Sequence, residues 1–374
     1  MIVIFTGPTI SSDDCRGILP AEYLPPASQG DVYRATLLRP FAIGIIDGYF
    51  EHVPSIWHKE ILWALARGIH VFGSASMGAL RAAELEAFGM RGVGAIFSAF
   101  RDGTLEDDDE VAVVHGPAEL GYRPLSEPMT NIRATLAAAA AVGILAPASL
   151  EVLIATAKAL HFPQRDYNRI LECGASAGIP KSEIDAFRSW LPGGRVDAKR
   201  QDAIAMLEAM RGLTHNQTAP HAPSFVFEAT ALWLEFLRSA GSLQSPHSSS
   251  ASPLFMDDFI AGFKARGHLT PQLRQAVIAR ILTLDESRRH GLEIGEEAIE
   301  RAILGFRARL ALAHWEDLER WMDENDLDLA QFLALIEQEA RLAWTRSMLS
   351  GEVENALVDY LRAENQYSLF KRTL

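Results

Sequence analysis

Ser76 sits in Gly73-Ser-Ala-Ser-Met-Gly78, between an apolar run (Ile69–Phe72) and a helix-like stretch (Met77–Phe88). Small residues two before and two after it, Ser74 and Gly78, make a loosened G-x-S-x-G elbow. In such an elbow a strand folds straight into a helix and one hydroxyl is pushed outward. The Met77 and Gly78 amides would open the helix and offer donors to a developing oxyanion. The same serine would equally serve as a plain helix N-cap. His58 is the candidate base for Ser76: near a helix start the dipole disfavours imidazolium and keeps the ring neutral. Asp47 is the carboxylate that would orient it, with Glu60 second, and a turn aspartate before Gly48 is its bland reading. His52 is an alternative base. Lys59 could pair with Ser76 as in Ser–Lys hydrolases, although a Lys59–Glu60 pair on a solvated face is simpler. Arg81 could hold a carboxylate over the turn, or merely pair with Glu84 three residues on.

These groups need a frame that brings them together. Ile2–Phe5, Phe41–Ile46 and Ile69–Phe72 are continuously apolar and separated by helical stretches, which predicts parallel strands covered on both faces. The fold class expected is α/β, an open mostly parallel sheet in a three-layer core, followed by a mainly α-helical C-terminal region. Further elements expected are a helix from Ser11 or Ser12 to Ile18, a run from Asp31 to Leu38, a helix from Pro54 to Arg67, a helix over Val93–Arg101, and a strand over Glu110–Val114. Ligands of such sheets bind beyond the carboxyl ends of the strands. Asp47, His58 and Ser76 are expected on that one edge, Asp47 and Ser76 ending strands and His58 in the first turn or so of the helix between them. Thr9 ends the first strand on the same edge, and parallel neighbours lie about 4.8 Å apart.

Whole-chain properties narrow the function. The 374 residues carry 35 basic and 48 acidic side chains, a formal charge of −13, which argues against nucleic acid and anionic membrane surfaces. No apolar run reaches membrane-span length, and the first residues read as a buried strand, without a signal-peptide pattern. Two cysteines, Cys15 and Cys173, without metal-ligand spacing fit a reducing cytoplasm and no structural metal. Cys15 near a helix start is a weaker nucleophile candidate than Ser76. The glycines form no dinucleotide or Walker pattern, so no cofactor is expected. The acidic run from Glu106 to Glu110 reads as a solvated loop, with a cation site or basic partner as alternatives.

The segments Phe5–Thr9, Ile18–Pro26, Gly30-Asp31, Ile43–Phe50, His58–Leu62, Gly73–Glu84 and Asp107–Val111 resemble the core domain of TfuA-like proteins, over roughly residues 1–130. The resemblance implies a partner of a YcaO enzyme that forms peptide or protein thioamides. It further implies sulfide supply by hydrolysis of the C-terminal thiocarboxylate of a ThiS-like sulfur carrier. Ser76, His58 and Asp47 fall inside the shared segments and would be catalytic, whereas Cys15 and His52 fall where the pattern is loose. Thr9, Ser74, Met77, Gly78 and Arg81 would bind substrate or oxyanion, and Gly7, Gly48, Gly73 and Gly78 would form a slot for a narrow Gly-Gly tail. The alternative is a noncatalytic activator or scaffold that stabilises the YcaO enzyme and recruits substrate, and a generic esterase ranks third.

The organisation expected is a 1–130 core, a 131–240 helical region packing on or extending it, a polar linker at 241–253 and a 254–374 helical region. Trp315, Trp321 and Trp344 in the last part would either pack a core or anchor a partner.

Overall fold

Three continuously apolar runs build the centre of the sheet. The computed structural model describes residues 1–49, 53–213, 219–228, 230, 232–233, 236–237 and 260–371. They form two compact units, residues 1–227 and 228–374. In the first, β1 (Ile2–Phe5), β2 (Glu22–Leu24), β3 (Ala42–Ile45), β4 (His70–Ser74) and β5 (Arg91–Val93) make one parallel sheet ordered β2-β1-β3-β4-β5. The chain is thus α/β, with a mostly helical C-terminal region. The strand order reverses between β1 and β3, which opens a crevice at their carboxyl ends. All of β3 and β4 is buried, as a sheet covered on both faces requires.

One face is covered by α2 (Asp31–Leu37), α3 (His58–Ala66), α4 (Met77–Leu85) and α5 (Ala95–Arg101), which contribute to a core with Val3, Phe5, Ile43, Ile45 and Val71. The other is covered by α1 (Ser12–Arg16) and, from far along the chain, α10 (Ala198–Arg211). Ala203, Met206, Leu207 and Met210 recur at helical spacing and form the buried stripe of α10. Gly44 of β3 allows this approach: a Cβ there would lie 2.9 Å from Met210 Sδ and 3.0 Å from Met206 Cε. In the chain between α5 and α10, the helices α6 (Met129–Ala141), α7 (Pro147–Ala159), α8 (Tyr167–Ser176) and α9 (Lys181–Gly194) pack around Ile132, Leu136, Leu153, Ile170 and Phe187 in a core of their own.

The structure revises several elements. Both edge strands, β2 and β5, escape the periodicity reading because each has only three residues. The helix expected from Pro54 begins at His58: Trp57 is its cap residue, and its N–H donates to Glu60 Oε1 at 3.2 Å. Glu60 also accepts the Gly30 and Tyr33 amides, so it joins the starts of α2 and α3. Its burial pushes the carboxyl up to about 7. The strand expected over Glu110–Val114 is not in the sheet. Asp108–Glu110 form a 3-10 turn, and the chain then runs extended to a single bridge between His115 and Pro124.

The acidic run is a solvated loop only over Glu106–Asp108, which are exposed, whereas Asp109 and Glu110 turn inward onto cations. Lys158 pairs with Asp107, Asp109 and Glu110, while Arg133 meets Glu110 at 2.8 Å. Arg165, fully buried, grips Asp109 through both carboxylate and carbonyl oxygen. Fixed charges on three sides thereby pin the backbone that leads into Val111.

In the second unit, Phe306, Trp321 and Phe332 pack edge to face with centroids 5.0 to 6.3 Å apart, beside buried Trp315 and Leu318. Trp344 stacks edgewise on His290. These tryptophans therefore serve packing. The expected linker 241–253 lies outside the described residues.

Candidate functional site

The turn after β4 is strained. Ser76 N–H donates to the Ser74 carbonyl at 2.7 Å, closing a three-residue turn around Ala75 at φ +64°. A γ-turn with positive central φ is rare and costly, and buried strain of this kind concentrates at functional positions. The turn is held by close packing behind it. Gly78 lies so near β3 that a Cβ would sit 1.8 Å from the Ile45 carbonyl oxygen, and one on Gly73 would sit 2.1 Å from the Gly78 carbonyl.

Ser76 occupies the N-cap position of α4, yet its side chain makes no capping hydrogen bond. Its Oγ lies 2.9 Å from Nζ of Lys199. That amine also donates to the Val111 carbonyl at 2.8 Å. Ser76 is 2 % and Lys199 3 % exposed, so the pair is almost out of water. Burial holds the Lys199 ammonium below the ordinary lysine value, and the charges of Asp47 and Asp197 pull it back up. Lys199 lies in the first turn of α10, where the helix dipole also opposes a cation. A lysine whose proton is loosened in this way, against a serine hydroxyl, has the chemistry that a general base beside a nucleophile requires.

Several contacts position that amine. Asn131 of α6 accepts the Lys199 N–H at 3.1 Å through Oδ1, and its amide donates to Asp197, the cap of α10, at 3.0 Å. Asp202, one turn on, accepts the first two amides of α5 at 3.0 and 2.7 Å. Ser74 Oγ donates to the Asp202 carbonyl at 3.3 Å. Ser74 is thus a tie between β4 and α10, and it is fully buried.

Asp47 ends β3 beside this pair. It accepts the Gly7 and Thr9 amides at 2.9 and 3.0 Å and the Thr9 hydroxyl at 2.6 Å. The loop after β1 therefore wraps the carboxylate and fixes it. Asp47 and Ser76 line one cleft of about 250 Å³, together with Pro8, Gly48, Tyr49, Val53, Val113, Val114, His115 and Phe162. Three of the strand-end groups expected to converge, Thr9, Asp47 and Ser76, do so.

His58 and Arg81 converge elsewhere. His58 Nε2 meets Glu84 Oε2 at 2.8 Å, and Arg81 donates to the same oxygen at 2.6 Å and to the Ile56 carbonyl at 3.1 Å. Burial acts to raise the Glu84 carboxyl, but these two donors outweigh it and hold it below its ordinary value. Arg81 and Glu84 line a second cleft with Ser55 and Glu106–Asp108. Neither His58 nor Arg81 touches Ser76. Lys59 lies over the Phe227 ring, 5.6 Å from its centroid. The Gly78 amide donates to the Ile46 carbonyl at 3.3 Å, which removes it as an oxyanion donor. The Met77 amide has no partner among the described residues. The small residues are consumed by self-packing too: a Cβ on Gly7 would meet Pro26 at 2.3 Å and one on Gly48 would meet Met77 at 2.8 Å. Burial pushes the Cys15 thiol up to about 11, so it stays protonated. His52 lies outside the described residues.

Lys199 is the functional residue that the sequence reading lacks. Its signal was a cation on the buried stripe of α10, one turn before Ala203 and in register with Met206 and Met210.

No curated protein matches this chain. Residues 47–166, a segment that carries Asp47 and Ser76, match the family model described as TfuA-like protein.

Proposed function

We propose that this chain is an acyl hydrolase in which Ser76 is the nucleophile and Lys199 its base. The acyl group would be the C-terminal thiocarboxylate of a ThiS-like sulfur carrier, hydrolysed to supply sulfide to a YcaO enzyme that forms backbone thioamides. The observation that carries the chemistry is the 2.9 Å contact between Lys199 Nζ and Ser76 Oγ out of water. The TfuA-like match supports the substrate class.

With Lys199 neutral, one N–H stays on the Val111 carbonyl and the nitrogen lone pair accepts the Ser76 O–H. Oγ attacks the thiocarboxylate carbon as its proton passes to Nζ. The oxyanion would be received by the Met77 amide, the residue after the nucleophile. The C–S bond then breaks, and the sulfur takes the Nζ proton and leaves as hydrosulfide. Lys199, neutral again, removes a proton from water, which attacks the Ser76 ester. The C–Oγ bond breaks, Oγ recovers the proton, and the product carboxylic acid ionises. The net change is thiocarboxylate plus water to carboxylate, hydrosulfide and one proton.

The test is sulfide release from a purified thiocarboxylated carrier, with and without a YcaO enzyme, comparing the chain with Ser76→Ala. Release that collapses in Ser76→Ala while its circular dichroism stays native supports the hydrolase. Equal release from both proteins, or none from either, turns the reading to the activator-scaffold role.

The pH profile supplies a further prediction. Activity needs the neutral amine, so kcat should rise with pH through a single ionisation below the ordinary lysine value of about 10.4. The Asp47 carboxylate favours the ammonium. Asp47→Asn removes that charge, so the rising limb should move to lower pH. A limb that stays in place would show that Asp47 does not set the state of Lys199.

A further inference from the structure

The glycines expected to make a slot for an extended tail are occupied by the protein's own atoms, yet the cleft holds an open strand edge. From Val113 to Gly116 the chain is extended, with one side already paired. Val114 N–H donates to Ser126 Oγ at 2.9 Å, Leu125 N–H donates to the Val114 carbonyl at 2.7 Å, and Gly116 N–H donates to the Arg123 carbonyl at 2.9 Å. In an extended chain successive residues present their N–H and C=O to opposite sides. Val113 and His115 therefore turn theirs away from the 123–126 segment, which makes the single antiparallel bridge at Pro124, and neither residue's backbone has a partner among the described residues. Both residues line the Ser76 cleft.

This edge is continuous with the proposed chemistry. The Val111 carbonyl, at the end of the 3-10 turn, holds Lys199, and Val113 follows two residues on. Unpaired backbone groups beside a nucleophile form a template for strand addition.

We infer that the substrate's C-terminal tail binds as an added β-strand on the Val113–His115 edge, which delivers its terminal acyl carbon to Ser76. This rests on the acyl-hydrolase reading for what happens to the tail, but the binding can be measured without it. The recognition is of backbone, so tail sequence would matter less than an extended, unsubstituted main chain. Val53, Val113 and Phe162 leave room beside it for small side chains only, in a cleft of about 250 Å³.

The probe is a fluorescein-labelled hexapeptide ending in Gly-Gly carboxylate, titrated against the full chain carrying Ser76→Ala. Val113→Pro removes one N–H that the fold does not use and should weaken binding roughly tenfold, the loss of one backbone hydrogen bond. Val113→Ala, which keeps the N–H, should bind within about twofold. On the unmodified chain, the corresponding peptide thiocarboxylate should show a matching rise in KM when a tail amide is N-methylated, with kcat little changed. That arm needs no altered protein and so does not depend on how Val113→Pro folds. Equal binding of parent and N-methylated peptides, with sulfide still released, overturns the strand-addition inference alone. Binding that depends on Val113 without sulfide release overturns the hydrolase reading alone. No binding and no release overturns both.

Discussion

Lys199→Met should lose sulfide release by roughly 10²–10⁴-fold, the usual worth of a positioned general base, while the protein melts at the same temperature or higher. The two halves of that expectation have one cause. The amine is buried at the first turn of a helix, where both desolvation and the dipole oppose its charge. Methionine fills the same volume without that cost. What is lost structurally is the donor to the Val111 carbonyl and to Ser76 Oγ, each contact worth on the order of 1 kcal/mol. Lys199→Arg should be equally inactive, because a guanidinium does not deprotonate in proteins and cannot take the Ser76 proton. The measurements are initial sulfide-release rates and thermal melts on the same preparations. A destabilised Lys199→Met protein that keeps its rate would make the lysine a structural strut and remove it from the chemistry.

Gly78→Ala should do the opposite, damaging the fold before the chemistry. The added Cβ would lie 1.8 Å from the Ile45 oxygen and 2.6 Å from its carbonyl carbon, and both are backbone atoms of a central strand. Backbone of a buried parallel sheet cannot swing aside as a side chain does, so α4 must retreat from β3. A cost of about 3 kcal/mol or more follows, enough to consume a large share of the stability of a typical domain. Gly193→Ala, in α9 with nothing within 4 Å of the new Cβ, is the control and should be neutral or slightly stabilising. Chemical denaturation of both variants checks this. A Gly78→Ala protein as stable as the parent would mean that α4 and β3 are not in the close contact described.

The central strands and the serine turn were legible because they depend on local pattern. Ile2–Phe5 and Ala42–Ile45 are apolar runs bounded by breakers, β4 carries the apolar pair Val71-Phe72, and small residues at Gly73 and Gly78 mark where strand and helix must nearly touch. The strand-end convergence of Thr9, Asp47 and Ser76 followed from topology alone. The base did not. Ser–Lys pairing was weighed for Lys59, the lysine near in sequence, whereas the fold supplies Lys199 from a helix 123 residues after the serine. No periodicity links those positions, because α6 to α9, which build a core of their own, lie between them in the chain. His58 shows the converse: it is polar, near a helix start and inside the family-like segment, but its partner is Glu84 on the neighbouring helix. The expected strand after Glu110 was half legible. Its apolar run is real, but it lines the cleft outside the sheet, and the ion pairs that pin the residues before it come from Arg133, Lys158 and Arg165.

The 123-residue gap between nucleophile and base also sets an order of events during synthesis. A ribosome that has released the sheet and its first helices has made a chain with a serine turn but no amine beside it. On the proposed chemistry, the Ser76 hydroxyl has no base until α10 has been made and docks across Gly44. Sulfide release would then report completion of the first unit, and a nascent chain cut short before Asp197 would lack it.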